Sequence, residues 1–488
     1  MASPNPPINA LREALTRRDR DAINQAVEQL LATRAPLGPE WKRVAQLMQM
    51  NGEIGLALRA MDAFIAAASG RPEAWYDKIV MLGQTGRLIE ARDLLARLPV
   101  KGADPVARAF LAGNVAITLG RAEEARAELE QVVSARPGWG PAWLSIAEAV
   151  NLAEDPLGDR LLADRAAADA QPVPERARYY YALGRLFHDR KQRADAFAAF
   201  AEGARLLKSV LPYSRAGDRR SATDAMSGFD PATIEAWNAR QTLPTSRPIV
   251  VTGLPRSGTT LVEQILTSHS QVADGAEIGL MPQIAVTAGG TSGRAVQAYL
   301  DAGGTVERLA GLYLHLLAER FGTSGRVIDK TVDNSRFLGL IAAALPETPL
   351  IWMRRDPLDA AWSCFRTFFV HGVGWSYDLA DIAEHFALED RLVHFWQERL
   401  GERLLVVPYP ALVDAPEAWT RRILVHCNLP EEAQVHRFHE TERLVATASA
   451  LQVRRPVNRS GIGVAGPYRD FLQPFIDAYR AAGGTVDA

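Results

Sequence analysis

The sequence predicts two unlike halves, an α-helical repeat array followed by an α/β domain with a parallel sheet. Three observations carry this. Bulky residues recur at one fixed spacing through the first half. Apolar, strand-like runs alternate with helical patterns in the second half. The first of those runs, Ile249-Val250-Val251, feeds a glycine-bounded turn from Gly253 to Gly258 and then an apolar-periodic segment opened by Thr259 and Thr260.

In the first half, Trp41, Trp75, Ala109 and Trp143 each lie 34 residues after the last. Gly52, Gly86 and Gly120 keep the same spacing, as do Ala57, Ala91 and Ala125. A large residue, a turn glycine and a small alanine in that register are the signature of tetratricopeptide repeats. The large residue fills the groove between two helices, the glycine permits a tight turn, and the alanine lets the second helix approach. A further unit, slightly out of phase, places Tyr180, Leu183, Gly184, Ala196 and Phe200 in the corresponding positions. An imperfect unit near Asn9–Leu31 opens the array, and the unit around Trp143 degenerates after Asn151, at Asp155-Pro156. The pattern predicts a solenoid over 1–207, whose concave face is of the kind that binds peptide segments. Its aromatic residues are read as core. From 208 to 245, Pro212, Ser214, Gly217, Asp218 and Ser221 suggest a connector or mobile flap.

The α/β half, 246–488, has candidate strands at Ile249–Thr252, Val327–Asp329, Leu350–Met353 and Leu404–Pro408. Strands alternating with helices imply a parallel sheet covered on both faces, with ligands at the carboxyl ends of the strands. The turn after the first strand matches the P-loop template GxxxxGK[ST] except at Thr259, where the template has lysine. Backbone N–H groups and a helix N-terminus still suit a phosphate. The cation that reaches the terminal phosphates of ATP is missing, and Arg256 is the positive group in the loop. Lys330 and Arg355 follow two further strands and are expected to point into the same crevice, with Ser363 two helical turns beyond Arg355. The competing reading makes Lys330 a solvated loop lysine, and pairs Arg354 or Arg355 with Asp356 or Asp359.

These residues carry a family resemblance. GLPRSGTTLVEQIL, then IDK, then WMRRDPLDAAWSCF resemble the sulfotransferases that use 3′-phosphoadenosine 5′-phosphosulfate (PAPS), over roughly Arg247–Tyr479 and most closely in the protein-tyrosine sulfotransferase branch. The resemblance implies a PAPS sulfotransferase fold, PAPS as co-substrate, PAP as product and no metal. It assigns Arg256, Ser257, Gly258, Thr259 and Thr260 to the 5′-phosphosulfate loop, and Arg355 and Ser363 to the 3′-phosphate. Lys330 matches the transition-state lysine, Glu277 in GAEIG the catalytic base, and Tyr409 in VPYPALV a tyrosine lining the nucleotide pocket. SALQVRRPVN resembles the family's closing loop and places Ser449 and Arg455 near the nucleotide, with Thr447 competing for the position of Ser449. His269 and Asp274 are the rival bases. Glu277 is followed by Ile278-Gly279-Leu280 rather than the basic residues of the secretory enzymes, so acceptor identity does not carry over.

Composition narrows the partners. A formal charge of −2 makes no electrostatic case for nucleic acid or an anionic membrane. The N-terminal MASPNPPINALREALTRRD lacks an apolar core of signal-peptide length, and Cys364 and Cys427 cannot build a disulfide framework. A cytoplasmic protein is expected. The expected function is sulfuryl transfer to an acceptor hydroxyl, such as tyrosine of a peptide or protein presented by the repeats. Alternatives are a small-molecule or carbohydrate sulfotransferase using the repeats for homo-oligomerisation, and a non-catalytic adaptor. A kinase is disfavoured by Thr259, with Asp329 the one candidate Mg²⁺ carboxylate. The segment Phe368–Tyr377 is read either as acceptor lining or as buried packing.

Overall fold

The computed structural model describes residues 6–98, 104–369, 373–440 and 456–486. Its first part is a run of helix pairs: Pro6–Arg17 with Arg20–Ala32, Glu40–Met50 with Ile54–Ala67, Pro72–Gln84 with Leu88–Arg97, and Pro105–Thr118 with Ala122–Ala135. The repeat register of the sequence is the register of these pairs. Gly52, Gly86 and Gly120 turn the chain at φ of 80°, 82° and 75°, a left-handed conformation that glycine adopts without strain. Ala57, Ala91 and Ala125 are fully buried where the paired helices meet. Trp41, Ala109 and Trp143 are buried, and Trp75 is partly so. After the helix Gly140–Ala149 the pattern breaks into two short helices, Leu157–Ala163 and Arg165–Asp169. Asp155 accepts the Leu157 amide (2.9 Å) and pairs with Arg126 (2.6 Å), which restarts the chain at Pro156. A last long pair follows, Val173–Asp189 and Arg193–Val210.

The second part is a five-stranded, all-parallel sheet: β1 (Pro248–Gly253), β2 (Val272–Ala276), β3 (Arg326–Asp329), β4 (Leu350–Arg354) and β5 (Leu404–Pro408), in the order β2-β3-β1-β4-β5. Strand β2 has no counterpart in the sequence reading. Its residues, VADGA, lack a β-branched run, and it is an edge strand with a register shift between Val272 and Asp274. Neighbouring residues of β1 serve opposite cores, as the pleat requires. Val250 packs with Leu350 and Trp352 against helices that include Val306–Phe321 and Leu379–Leu400. Ile249 and Val251 pack with Ile351 and Met353 against the helices Thr259–Thr267 and Pro416–His426.

Segment 208–245 holds two packed helices where a connector or flap is expected. Arg215–Met226 and Pro231–Asn238 bury Ala222, Ala225, Ile234 and Trp237 in the α/β core. The polar punctuation there is helix capping: Ser214 accepts the Gly217 amide (3.1 Å) and Asp230 the Thr233 amide (2.9 Å). Asp218 is also pinned, by Arg336 (2.9 Å) and His385 (2.6 Å).

The helical part meets the α/β part at both ends. One continuous apolar core joins the last helix pair to the helix Pro357–Phe365, with Phe200 edge-on to Trp362 at 5.8 Å. At the other end the array's first turns grip the helix Val306–Phe321. Gly55 N–H donates to Glu319 (2.8 Å), Glu53 faces His315 (3.0 Å) and Asp21 pairs with Arg308 (3.0 Å). Among the described residues no helix is long and apolar enough to cross a membrane.

Candidate active site

Each strand delivers one candidate residue at its carboxyl end: Arg256 after β1, Glu277 after β2, Lys330 after β3, Arg355 after β4 and Tyr409 after β5. The loop after β1 is contorted. Arg256 sits at φ 66° and Gly258 at φ 103°. A Cβ on Gly258 would come within 2.5 Å of the Tyr409 ring, so that position has no room for a side chain. A non-glycine residue held in the left-handed region costs about 1–3 kcal/mol, a strain that functional loops retain. Ser257 Oγ is buried beside the N-terminus of Thr259–Thr267 without a hydrogen-bond partner. A buried hydroxyl in that state is an anion-ready donor.

Positive charge gathers around the loop. Arg256 donates to Ser363 Oγ (3.1 Å), and Arg355 donates to the carbonyls of Arg256 (2.7 Å) and Gly461. Arg355 also lies over the Tyr409 ring at 5.4 Å, and its Nε is buried without a partner. Arg366 meets Nε2 of His188 at 2.8 Å. These partners are a hydroxyl, two carbonyls and an imidazole whose pKa burial pushes down to about 4. Burial lowers the pKa of Arg256, and the neighbouring Arg355 and Arg185 lower it further. Burial brings Arg366 down to about 10, with Arg256, Arg185 and Arg355 adding to the effect. Guanidinium groups that repel one another favour an anion placed between them. Two arginines and a serine gathered at one loop are a donor set that fits phosphate groups.

Lys330 is fully buried, not a solvated loop lysine. Its Nζ lies 2.8 Å from Glu277 and 3.5 Å from Glu263. Its N–H donates to Ala276 O (2.9 Å), which ties the end of β3 to the chain just before Glu277. The Glu277 side chain is 56% exposed, whereas that of Glu263 is 4% exposed. The sequence reading missed Glu263. Its signal was present as a carboxylate in the apolar stretch LVEQIL, on the buried face of the loop's helix.

The remaining candidates separate by their partners. His269 is buried, its Nδ1 accepting from Gln271 N–H (3.1 Å) and its Nε2 facing Pro430 O (2.9 Å), which leaves no ring nitrogen for an acceptor. Asp274 lies within β2 and accepts the Gly275 amide (2.8 Å). Asp329 is fully buried and bonded to Tyr313 (2.9 Å) and Thr331 (2.6 Å), so its oxygens serve the fold. Neither arginine of Arg354-Arg355 pairs as the competing reading has it. Arg354 binds Asp390 (2.5 Å), Asp356 caps its helix at the Asp359 amide (2.8 Å), and Asp359 accepts the amides of Gly463 (2.7 Å) and Ala465 (2.9 Å). Ser449, Arg455 and Thr447 lie outside the described residues. The chain that follows them, near Gly461, rests on Arg355, Asp359 and Tyr409, a closure that sequence reasoning did not resolve to residues. In the aromatic segment, Trp375 stacks on His385 at 4.2 Å and Tyr377 is buried, while Phe368 lies edge-on to Tyr181 at 5.7 Å.

Residues 248–433 match the model of the sulfotransferase family. This stretch of the α/β half, which carries β1 to β5, thus matches the sulfotransferase family. An uncharacterized protein of Aquifex aeolicus is 28% identical to the chain over 423 residues, 83% of this chain and 54% of that protein. Protein-tyrosine sulfotransferase 1 of Danio rerio is 27% identical over 230 residues, 45% of this chain and 62% of the relative. The chain thus spans little more than half the length of the curated relatives it matches. Among solved structures, the sulfotransferase domain of the Synechococcus PCC 7002 olefin synthase aligns with 51% of this chain and 98% of its own, at 17% identity and a TM-score of 0.36. Sulfotransferase STF9 of Mycobacterium avium aligns with 67% of this chain and 97% of its own, at 15% identity and a TM-score of 0.31. The protein is a helical N-terminal region followed by a domain with a parallel sheet that matches the sulfotransferase family over residues 248–433.

Proposed function

We propose that the protein transfers a sulfuryl group from PAPS to an acceptor hydroxyl, with tyrosine of a peptide or protein as the acceptor. The observation that carries this is the cluster of half-buried arginines, Arg256, Arg355 and Arg366, around a left-handed, serine-bearing loop, with a buried lysine held by two carboxylates at the end of the adjacent strand. Arg256, Ser257, Gly258, Thr259 and Thr260 hold the 5′ end of the nucleotide, and Arg355 and Ser363 the 3′-phosphate. Tyr409 braces the loop through its contact with Gly258. When bound, PAPS supplies the sulfuryl group. The acceptor oxygen bonds to sulfur as the bond from sulfur to the bridging oxygen breaks, and the hydroxyl proton goes to Glu277. Lys330 and Arg256 meet the charge that grows on the bridging oxygen, each contact worth on the order of 3 kcal/mol. Glu263 stays beside Lys330 after Glu277 turns to the acceptor.

A tyrosine acceptor is supported by the match to protein-tyrosine sulfotransferase 1 of Danio rerio. The helical region, read as a tetratricopeptide array, presents the acceptor, because its last pair lines the site through Arg185 and His188. A cytoplasmic setting fits two free, buried cysteines whose thiols burial pushes up to about 12. The full chain, incubated with ³⁵S-labelled PAPS and a panel of tyrosine peptides, glycans and phenols, tests the proposal. Label on tyrosine peptides is expected. Label confined to glycans or free phenols would overturn the acceptor, and no transfer with no PAP binding would overturn the activity.

A further inference from the structure

Glu277 is the least restrained member of the site, since it is exposed and follows a five-residue edge strand. A general base has to sit within hydrogen-bond reach of the proton it takes. What holds it lies on the neighbouring strand. Thr331 Oγ1 accepts the amides of Ile278 (3.1 Å) and Gly279 (2.9 Å), the two peptide groups that follow Glu277. The same hydroxyl donates to Asp329 Oδ1 (2.6 Å), which also accepts the Thr331 amide (3.1 Å). A hydroxyl offers one donor and two acceptor sites, and Thr331 uses all three. Asp329 is in turn fixed, because Tyr313 on the helix Val306–Phe321 donates to its other oxygen (2.9 Å). Lys330 lies between Asp329 and Thr331 in sequence, so one clamp sets the base and the lysine together.

We propose that Thr331 is a positioning residue for sulfuryl transfer: its hydroxyl, oriented by Asp329 and Tyr313, fixes the peptide groups after Glu277 and so aims the carboxylate beside Lys330. This rests on Glu277 acting as the base. Thr331→Val keeps the shape and removes the hydroxyl, whereas Thr331→Ser keeps the hydroxyl. For a group misplaced by about 1 Å, Thr331→Val is expected to lower kcat roughly 100-fold with PAP affinity unchanged, and Thr331→Ser to restore most of the rate. In parallel, amide exchange at Ile278 and Gly279 is expected to be slow in the wild type and at least about tenfold faster in Thr331→Val. Wild-type kcat in Thr331→Val, or equal exchange in the two proteins, would overturn the clamp. If the wild type transfers label to no acceptor, the proposed function fails, and the exchange measurement still decides the clamp.

Discussion

The two sides of β1 are built differently. On the β4–β5 side, Arg355 and Tyr409, with Ser363 and Arg366 on the helix after β4 and its extension, form a dense cationic wall tied to the loop after β1 by carbonyls and ring contacts. On the β3–β2 side, a buried lysine is shared by two carboxylates, one sealed and one open. The first side is preset for an anion that arrives with its charges already formed. The second side has one carboxylate more than it has cations, and the open one can take a proton. On the proposed function, holding the nucleotide falls to a few clustered guanidinium groups, and chemistry to the lysine and its carboxylates.

That contrast can be broken from either side. Glu277→Gln should give the largest effect, a loss of about 10²–10⁴ in kcat for removal of a general base, with PAP affinity retained in calorimetry. Lys330→Ala should lose about 10²–10³ in single-turnover rate, again with little change in PAP binding. If either variant lost nucleotide affinity in proportion to rate, the division between the two sides would be wrong. On the other wall, Arg355→Ala should weaken PAP binding by about 10- to 100-fold, matching a charged hydrogen bond worth roughly 1.5–3 kcal/mol. Ser257→Ala should cost less, around three- to tenfold in the same titration, as for a neutral hydrogen bond of about 1 kcal/mol.

The smallest expected effect concerns stability. Burial foremost, then Arg366 and Arg185, lower the pKa of His188 from 6.5 to about 4. Between those values the unfolded chain holds the imidazole proton and the native chain does not. Stability should therefore fall as pH drops through this window, and His188→Gln should flatten the slope in denaturant titrations at successive pH values. An unchanged slope in the variant would show that His188 binds its proton alike in the folded and unfolded chain.

The loop after β1 was legible because its glycines answer to backbone geometry, and Lys330 and Arg355 because they follow apolar runs that make obvious strands. Three features stayed hidden for physical reasons. Strand β2 is a short edge strand containing Gly275, with little apolar signal of its own. The role of Glu263 depends on which helix face is buried, and a single glutamate does not disturb a periodicity. Thr331 acts through amides 52 and 53 residues away, a pairing that exists once β2 lies beside β3. In the helical half, Gly52, Gly86 and Gly120 announced their turns. The proline- and serine-rich stretch at 208–245 misled, since capping residues and linker residues are the same amino acids.

The most direct measurement is a calorimetric titration of the full chain with PAP and, separately, with ATP and Mg²⁺. Cations drawn from Arg256 and Arg355, rather than from a lysine at position 259, should favour PAP by at least about tenfold in Kd, or 1.4 kcal/mol. Binding of ATP with Mg²⁺ as tight as that of PAP would contradict the assignment of this cradle to a phosphosulfate donor.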